Sequence, residues 1–400
     1  MNPFLDSLLP YPFERMNALK AGLKVRSNAP HIALSIGEPK HATARFLVDA
    51  ATNIPAVQTG LATYPATRGG ESLRAAIGNW ATRRFRLPAG ALTAAQHILP
   101  VSGTREGLFS FAQCVLSGRT GSCAVLPNPF YQIYEGAILM RGATPYYVAC
   151  SDSSGLPDFE AVPDRVWQAC ELVFICTPGN PTGAVMPLAQ MKSLIELADR
   201  HDFVIASDEC YSEIYSDESR PPPGLLQACA ELGRDDFARC VVFHSLSKRS
   251  NMPGLRSGFV AGDAAILDRF FLYRTYHGCA MPAHVQHVSE LAWSDETHVV
   301  DNRALYRKKF AIVTPMLAPV LGVTEPDGGF YYWPRTPIDD ESFTRRLFVE
   351  ENVTVLPGRY LSRFQGDGDP GLNRIRMAMV GELAECVDVA QRIVRFARSL

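Results

Sequence analysis

The sequence predicts an α/β protein, with a mainly parallel sheet covered by helices on both faces and a smaller α+β unit after it. Three observations carry this. The middle of the chain holds short runs that are apolar throughout rather than alternating, as strands buried on both faces require. Segments with helical apolar spacing separate those runs, which is the signature of successive βαβ units. Beyond about residue 285 long helical patterns mix with isolated strand candidates, and the regular alternation stops.

Taken in order, HILPVSG (97–103) reads as a strand, and TREGLFSFAQCVL (104–116) as a helix with Leu108, Phe111, Ala112 and Val115 on one face. SCAVLPNP (122–129), TPYYVAC (144–150) and LVFICTP (172–178) follow as strands, and residues 187–201 as an amphipathic helix. FVIASDE (203–209), CVVFHSLS (240–247) and SGFVAG (257–262) complete the strand series. A long helical stretch over roughly 284–318 leads to strands in DGGFYYWP (327–334) and RIRMAMV (374–380), and a helix closes the chain. The expected organisation is an N-terminal arm (1–40) joining the small domain, a large domain (41–285) and a small C-terminal domain (286–400).

Composition narrows the function. At 400 residues the chain is long enough for two or three domains. Its 39 Lys and Arg against 41 Asp and Glu leave a net charge of −2, without the basic excess that tracks nucleic-acid phosphates. No run approaches the roughly 18 apolar residues of a membrane span, and the first twenty residues lack the apolar core of a signal peptide. Ten cysteines include no Cys-x-x-Cys pair, and several lie in apolar runs, as small buried hydrophobes in a reducing compartment do. A cytoplasmic protein with a small-molecule ligand, and no metal, nucleic acid or membrane, is expected.

Polar residues gather where these strands end, and in open parallel sheets ligands bind at the carboxyl ends of strands. Ser102-Gly103-Thr104 follows the first strand, Asn180-Pro181-Thr182-Gly183 the fourth, Asp208 and Tyr211 the fifth, and Ser245-Leu246-Ser247-Lys248 the sixth. Singly, each has an ordinary explanation: a solvated lysine, a helix cap, a turn. A Ser-Gly-Thr at a strand–helix junction is either a cap or a phosphate cradle of backbone N–H groups. Together, in this order, turns and caps account for them poorly.

With Arg256, this series resembles the class I/II aminotransferases of fold type I, which depend on pyridoxal 5′-phosphate (PLP), and the likeness runs from Ile36-Gly37-Glu38-Pro39 to the last helix. The resemblance implies a seven-stranded-type sheet and a role for each matched residue. Lys248 would bind the cofactor aldehyde as a Schiff base and later carry the substrate proton. Asp208 would pair with the pyridine nitrogen. Asn180 and Tyr211 would donate to the phenolic oxygen, and Tyr131 would stack on the ring. Gly103, Thr104, Ser245 and Arg256 would hold the phosphate. Tyr64 would reach the phosphate of a second subunit, implying a homodimer with shared sites. Gly37 and Arg376 would bind the substrate α-carboxylate, with Arg374, two residues earlier on the same strand face, as the fallback.

The segments MNPFLDSLLPYPFERMNAL, LSIGEPKH (34–41), TYPATRGG (63–70) and YRTYHGCAM (273–281) further resemble bacterial N-succinyldiaminopimelate aminotransferases of lysine biosynthesis. That implies amino transfer between N-succinyl-LL-2,6-diaminopimelate and 2-oxoglutarate. Such substrates need donors far from Lys248, for which Arg26, Lys40, Arg68, Arg274 and His277 are candidates. Aminotransfer from aspartate, alanine or aromatic amino acids, a PLP-dependent C–S lyase, and a non-catalytic effector-binding relative are the alternatives. A nicotinamide enzyme is excluded, because no strand is followed by Gly-x-Gly-x-x-Gly.

Overall fold

The computed structural model describes residues 1–366 and 368–400. Strand β1 (Ile32–Ala33) belongs to the smaller part of the molecule. The central sheet follows, formed by β2 (Ile98–Val101), β3 (Cys123–Asn128), β4 (Thr144–Ala149), β5 (Cys170–Cys176), β6 (Val204–Asp208), β7 (Cys240–Ser245) and β8 (Gly258–Gly262). Their spatial order is β2-β8-β7-β6-β5-β3-β4.

Neighbours from β7 to β4 are parallel, and β8 alone runs against both of its neighbours. This one reversal matters for the site. It places the start of β8, just after Arg256, at the edge where β2, β5, β6 and β7 all end; Gly258 lies opposite Ser245 and Val101.

Period-two geometry sends alternate side chains to opposite faces of a strand. Val125, Val173, Ile175, Ile205 and Val242 pack on one face of the sheet, and Ala124, Leu126, Leu172, Phe174, Ala206 and Val241 on the other. Both faces are therefore apolar, which explains why these strands read as unbroken hydrophobic runs.

A separate core joins Ile32 and Leu34 to Tyr306, Val313, Phe343, Val353, Met377 and Ile393. Here β1 pairs in parallel with β10 (Val353–Thr354), and β9 (Tyr331–Tyr332), β11 (Leu356–Pro357) and β12 (Ile375–Ala378) form an antiparallel sheet in the order β11-β12-β9. The helical stretch expected near 284–318 is two helices, Ala283–Ser294 and Thr297–Leu321. Asp295 breaks it: its backbone is extended, and its carboxylate caps the second helix by accepting from His298 N at 3.1 Å. Val288, Ala292 and Trp293 of the first helix are buried in the large core.

Candidate active site

Lys248 sits on the single helical turn Leu246–Arg249 directly after β7, a turn capped by Ser245 Oγ, which accepts from Ser247 N at 3.1 Å. Its ammonium lies at the floor of a cavity of about 560 Å³, within the range of small-molecule sites, and donates to Gly37 O at 2.5 Å. Burial lowers its pKa to about 8, with Arg376 acting in the same direction.

Asp208 ends β6 on the same floor. One carboxylate oxygen accepts from Tyr134 Oη at 2.7 Å and the other from Cys210 N at 3.2 Å. Burial raises its pKa, and these two donors oppose that rise without cancelling it. A cation facing this carboxylate would favour its charged form.

Gly103 caps the twelve-residue helix Thr104–Val115 with φ of +90°. A Cβ there would lie 2.1 Å from Nη2 of Arg256, so the backbone approaches the guanidinium as only glycine allows. Arg256 donates to Pro253 O at 2.9 Å. A helix N-terminus, an arginine and Ser245 thus converge on one corner, a built cradle for a dianion.

Arg376, on β12, reaches the cavity from the other core. Its guanidinium donates to Asn180 Oδ1 at 2.9 Å and Ser35 O at 2.7 Å, and stacks 4.6 Å from the Tyr331 ring centroid. Tyr211 and Tyr331 share a hydroxyl contact of 2.9 Å, and burial raises both phenols. Gly37 packs so closely on Tyr331 that a Cβ would lie 1.8 Å from its hydroxyl oxygen.

The structure thus brings Gly37, Thr104, Tyr131, Asn180, Asp208, Tyr211, Ser245, Lys248, Arg256 and Arg376 to one cavity, with Gly103 behind Arg256. Tyr64 stands apart from it, fully exposed. Arg374 does not share the cavity, contrary to the common strand face expected. It precedes β12, and its guanidinium is held by Trp333 O at 2.9 Å and Asp152 at 2.8 Å in a second cavity of about 530 Å³. Arg26, Lys40, Arg68, Arg274 and His277 do not line the catalytic cavity either. Lys40 pairs with Glu385, Arg68 lies beside Asp268 and Arg274 pairs with Glu106.

Sequence reading missed Tyr11, Arg105, Tyr134, Cys210 and Tyr331. Helical spacing from Tyr131 flags Tyr134, and Arg105 adjoins the cradle in sequence; nothing local marks Tyr11 or Tyr331.

A family model for aminotransferase class I and II matches residues 29–393. The chain belongs to this family. As a class I and II aminotransferase it uses PLP, and a cavity with a buried carboxylate, an enclosed lysine and a dianion cradle fits that cofactor. The crystal structure of an aminotransferase from Neisseria meningitidis Z2491 is 47% identical to this aminotransferase, with a TM-score of 0.94 and 100% of each chain covered. The LL-diaminopimelate aminotransferase of Nitratidesulfovibrio vulgaris (strain DP4) is 29% identical over 396 residues, 98% of this chain and 97% of the relative. A probable N-succinyldiaminopimelate aminotransferase from Thermus thermophilus shares the fold at 24% identity and a TM-score of 0.83, over 96% of this chain and 100% of that one.

Proposed function

We propose that this aminotransferase exchanges the amino group of N-succinyl-LL-2,6-diaminopimelate with 2-oxoglutarate, giving N-succinyl-2-amino-6-oxopimelate and glutamate. The observation that supports the reading is where one of the resembling segments falls. Tyr11, Pro12 and Phe13, from the first segment that resembles the succinyl enzymes, line the cavity; Ile36, Gly37 and Glu38 line it too but belong to the stretch shared with the whole family. Free LL-diaminopimelate is the second reading, favoured by the Nitratidesulfovibrio relative.

In the proposed reaction, PLP supplies an aldehyde that takes up an amine and a ring that accepts the electron pair freed at the substrate Cα. Lys248 holds that aldehyde before substrate arrives and afterwards moves the Cα proton; a pKa near 8 suits an amine that must take and return a proton near neutrality. Asp208 holds the ring nitrogen, and Tyr134 and Cys210 N fix its carboxylate in place. Asn180 and Tyr211 would hold the phenolic oxygen, Tyr131 would lie against the ring, and Gly103, Thr104, Ser245 and Arg256 would hold the phosphate. Arg376 orients the substrate through its α-carboxylate, aided by the backbone of Gly37.

Tyr64, fully exposed, would reach the phosphate of a second subunit in a homodimer, and the exposed apolar Ile54 and Leu61 of the preceding helix suit a covered surface. Sedimentation of the purified protein should then give a dimer.

The substrate test is a single-turnover series with the holoenzyme, following loss of the bound-cofactor absorbance on mixing with each amino donor. The succinylated diamine should react fastest. A fast reaction with free LL-diaminopimelate and none with the succinylated form selects the second reading, and fast reaction with an aromatic amino acid alone rejects both.

A further inference from the structure

Against the turn that carries Lys248 lies a buried polar cluster for which the proposed reaction has no use. Asn302, on the helix Thr297–Leu321, donates from Nδ2 to the backbone carbonyl of Lys248 at 3.3 Å. Its Oδ1 accepts from Asn251 Nδ2 at 2.8 Å and from His41 Nδ1 at 2.8 Å. An amide oxygen can only accept, so His41 carries its proton on Nδ1. Turned the other way, the amide would set its oxygen against the Lys248 carbonyl and its NH2 against that of Asn251. The contacts therefore fix its orientation.

These contacts tie separate segments together. Leu246–Arg249 is a single helical turn, and the last carbonyls of a helix have no partner within it. Asn302 supplies that partner for the lysine itself. His41 belongs to the stretch that carries Gly37, whose carbonyl accepts from the Lys248 ammonium at 2.5 Å. In the same stretch, Thr43 Oγ1 donates to Asn251 O at 2.9 Å. The His41 ring also packs 4.6 Å from the ring of Tyr306, which lies one helical turn beyond Asn302 on the same helix face.

The arrangement costs stability. Asn302, His41 and Asn251 are all buried, and His41 Nε2 and Asn251 Oδ1 find no partner among the described residues. Apolar side chains would fill this space at lower cost. What the polar set supplies instead is direction, since it fixes the main chain beneath Lys248 against the segment that its ammonium touches.

We infer that Asn302 is a positioning residue for the reaction: it holds the carbonyl of Lys248, while His41 and Asn251 hold Asn302, so that the amine stands where the cofactor aldehyde and the substrate Cα need it. The inference rests on the role proposed for Lys248 and is independent of the choice of amino donor. A displacement of about 1 Å at a reacting group costs roughly 10²-fold in rate.

The test sets Asn302→Leu, close in shape but unable to hydrogen-bond, beside the wild type. In single turnovers of the holoenzyme with L-glutamate, the rate constant should fall about 10- to 100-fold. The amplitude and the half-saturating glutamate concentration should stay near wild type, whereas loss of folded protein would lower the amplitude and spare the rate constant. The apoprotein should likewise take up PLP more slowly. Pyridoxine 5′-phosphate, which has the ring and phosphate but no aldehyde for the lysine, should bind both apoproteins alike. His41→Phe keeps the packing on Tyr306 and removes one anchor of the amide, so its loss should be smaller, about 2- to 10-fold, the worth of one hydrogen bond.

A wild-type rate constant and wild-type PLP uptake in Asn302→Leu overturn the assignment. So does an equal weakening of pyridoxine 5′-phosphate, which marks a collapsed site. If Asn302→Leu does not fold, wild-type values in His41→Phe overturn it instead. Borohydride treatment and peptide mapping of the wild type keep the underlying reading separate. Cofactor fixed on a lysine other than Lys248 rejects that reading, whereas cofactor on Lys248 with indifferent variants rejects only the role of Asn302.

Discussion

At Lys248 burial sets the chemistry. An ordinary lysine is about 0.03% neutral at pH 7, and only the neutral amine is nucleophilic. With a pKa of about 8, roughly 10% is neutral at that pH. The rate at which apoprotein takes up PLP should therefore rise about tenfold per pH unit below 8 and level off above it, measured as growth of bound-cofactor absorbance. A rate still climbing steeply at pH 10 would mean that the amine is not depressed. Asp208 works in the opposite sense, since burial favours its neutral form until a cationic ring nitrogen faces it. Asp208→Asn should keep the cofactor bound and lower kcat by about 10²- to 10³-fold, in the range seen when one aligned electrostatic partner is removed. An unchanged kcat would show that the ring nitrogen is held elsewhere.

At the scale of elements, the site is a set of strand ends. The junction of β2 with the helix Thr104–Val115 turns sharply at Gly103, where the backbone and Arg256 come into close contact at the corner proposed for the phosphate. Gly103→Ala would strain that turn by about 1–3 kcal/mol and push the guanidinium aside. PLP affinity, read by fluorescence titration, should weaken by about 10-fold or more, while the melting temperature of the apoprotein falls only slightly. A variant with wild-type cofactor affinity would contradict this view of the cradle. The strands themselves were legible, since burial on both faces writes a continuous apolar run into the sequence. β1, β9, β10 and β11 were harder to read, because each is only two residues long and β1 finds its partner β10 more than three hundred residues away.

At the scale of the whole molecule, two cores meet around the site and a buried charge cluster joins them. Glu213 follows β6, and its carboxylate lies 2.7 Å from Arg84 of the large core and 3.7 Å from Arg303 on the helix Thr297–Leu321. Burial alone would raise its pKa, but Arg84, Arg249 and Arg303 together hold it below the usual range. Glu213→Ala leaves Arg84 buried without its carboxylate and should destabilise the fold by about 3–5 kcal/mol. The shift in denaturation midpoint measures this, and a change under about 1 kcal/mol would mean that solvent reaches the cluster.

The same joint explains the limit of sequence reading at the arginine pair. Arg374 and Arg376 are chemically identical and two residues apart, so the sequence ranked Arg376 first only by its distance to the terminal helix and kept Arg374 as the fallback. Packing of the small sheet chooses, sending Arg376 to Asn180 and Arg374 to Asp152.

The sequence by itself determined the α/β class, the family and most of the residues that meet in the cavity, because strand burial and the short motifs at strand ends are local and leave local patterns. Only the tertiary structure showed that Arg374 turns to Asp152, that Tyr134 braces Asp208, and that Arg105 meets Tyr131 and Tyr11. Each of these depends on side chains from distant segments meeting in space, and such meetings leave no periodicity to read.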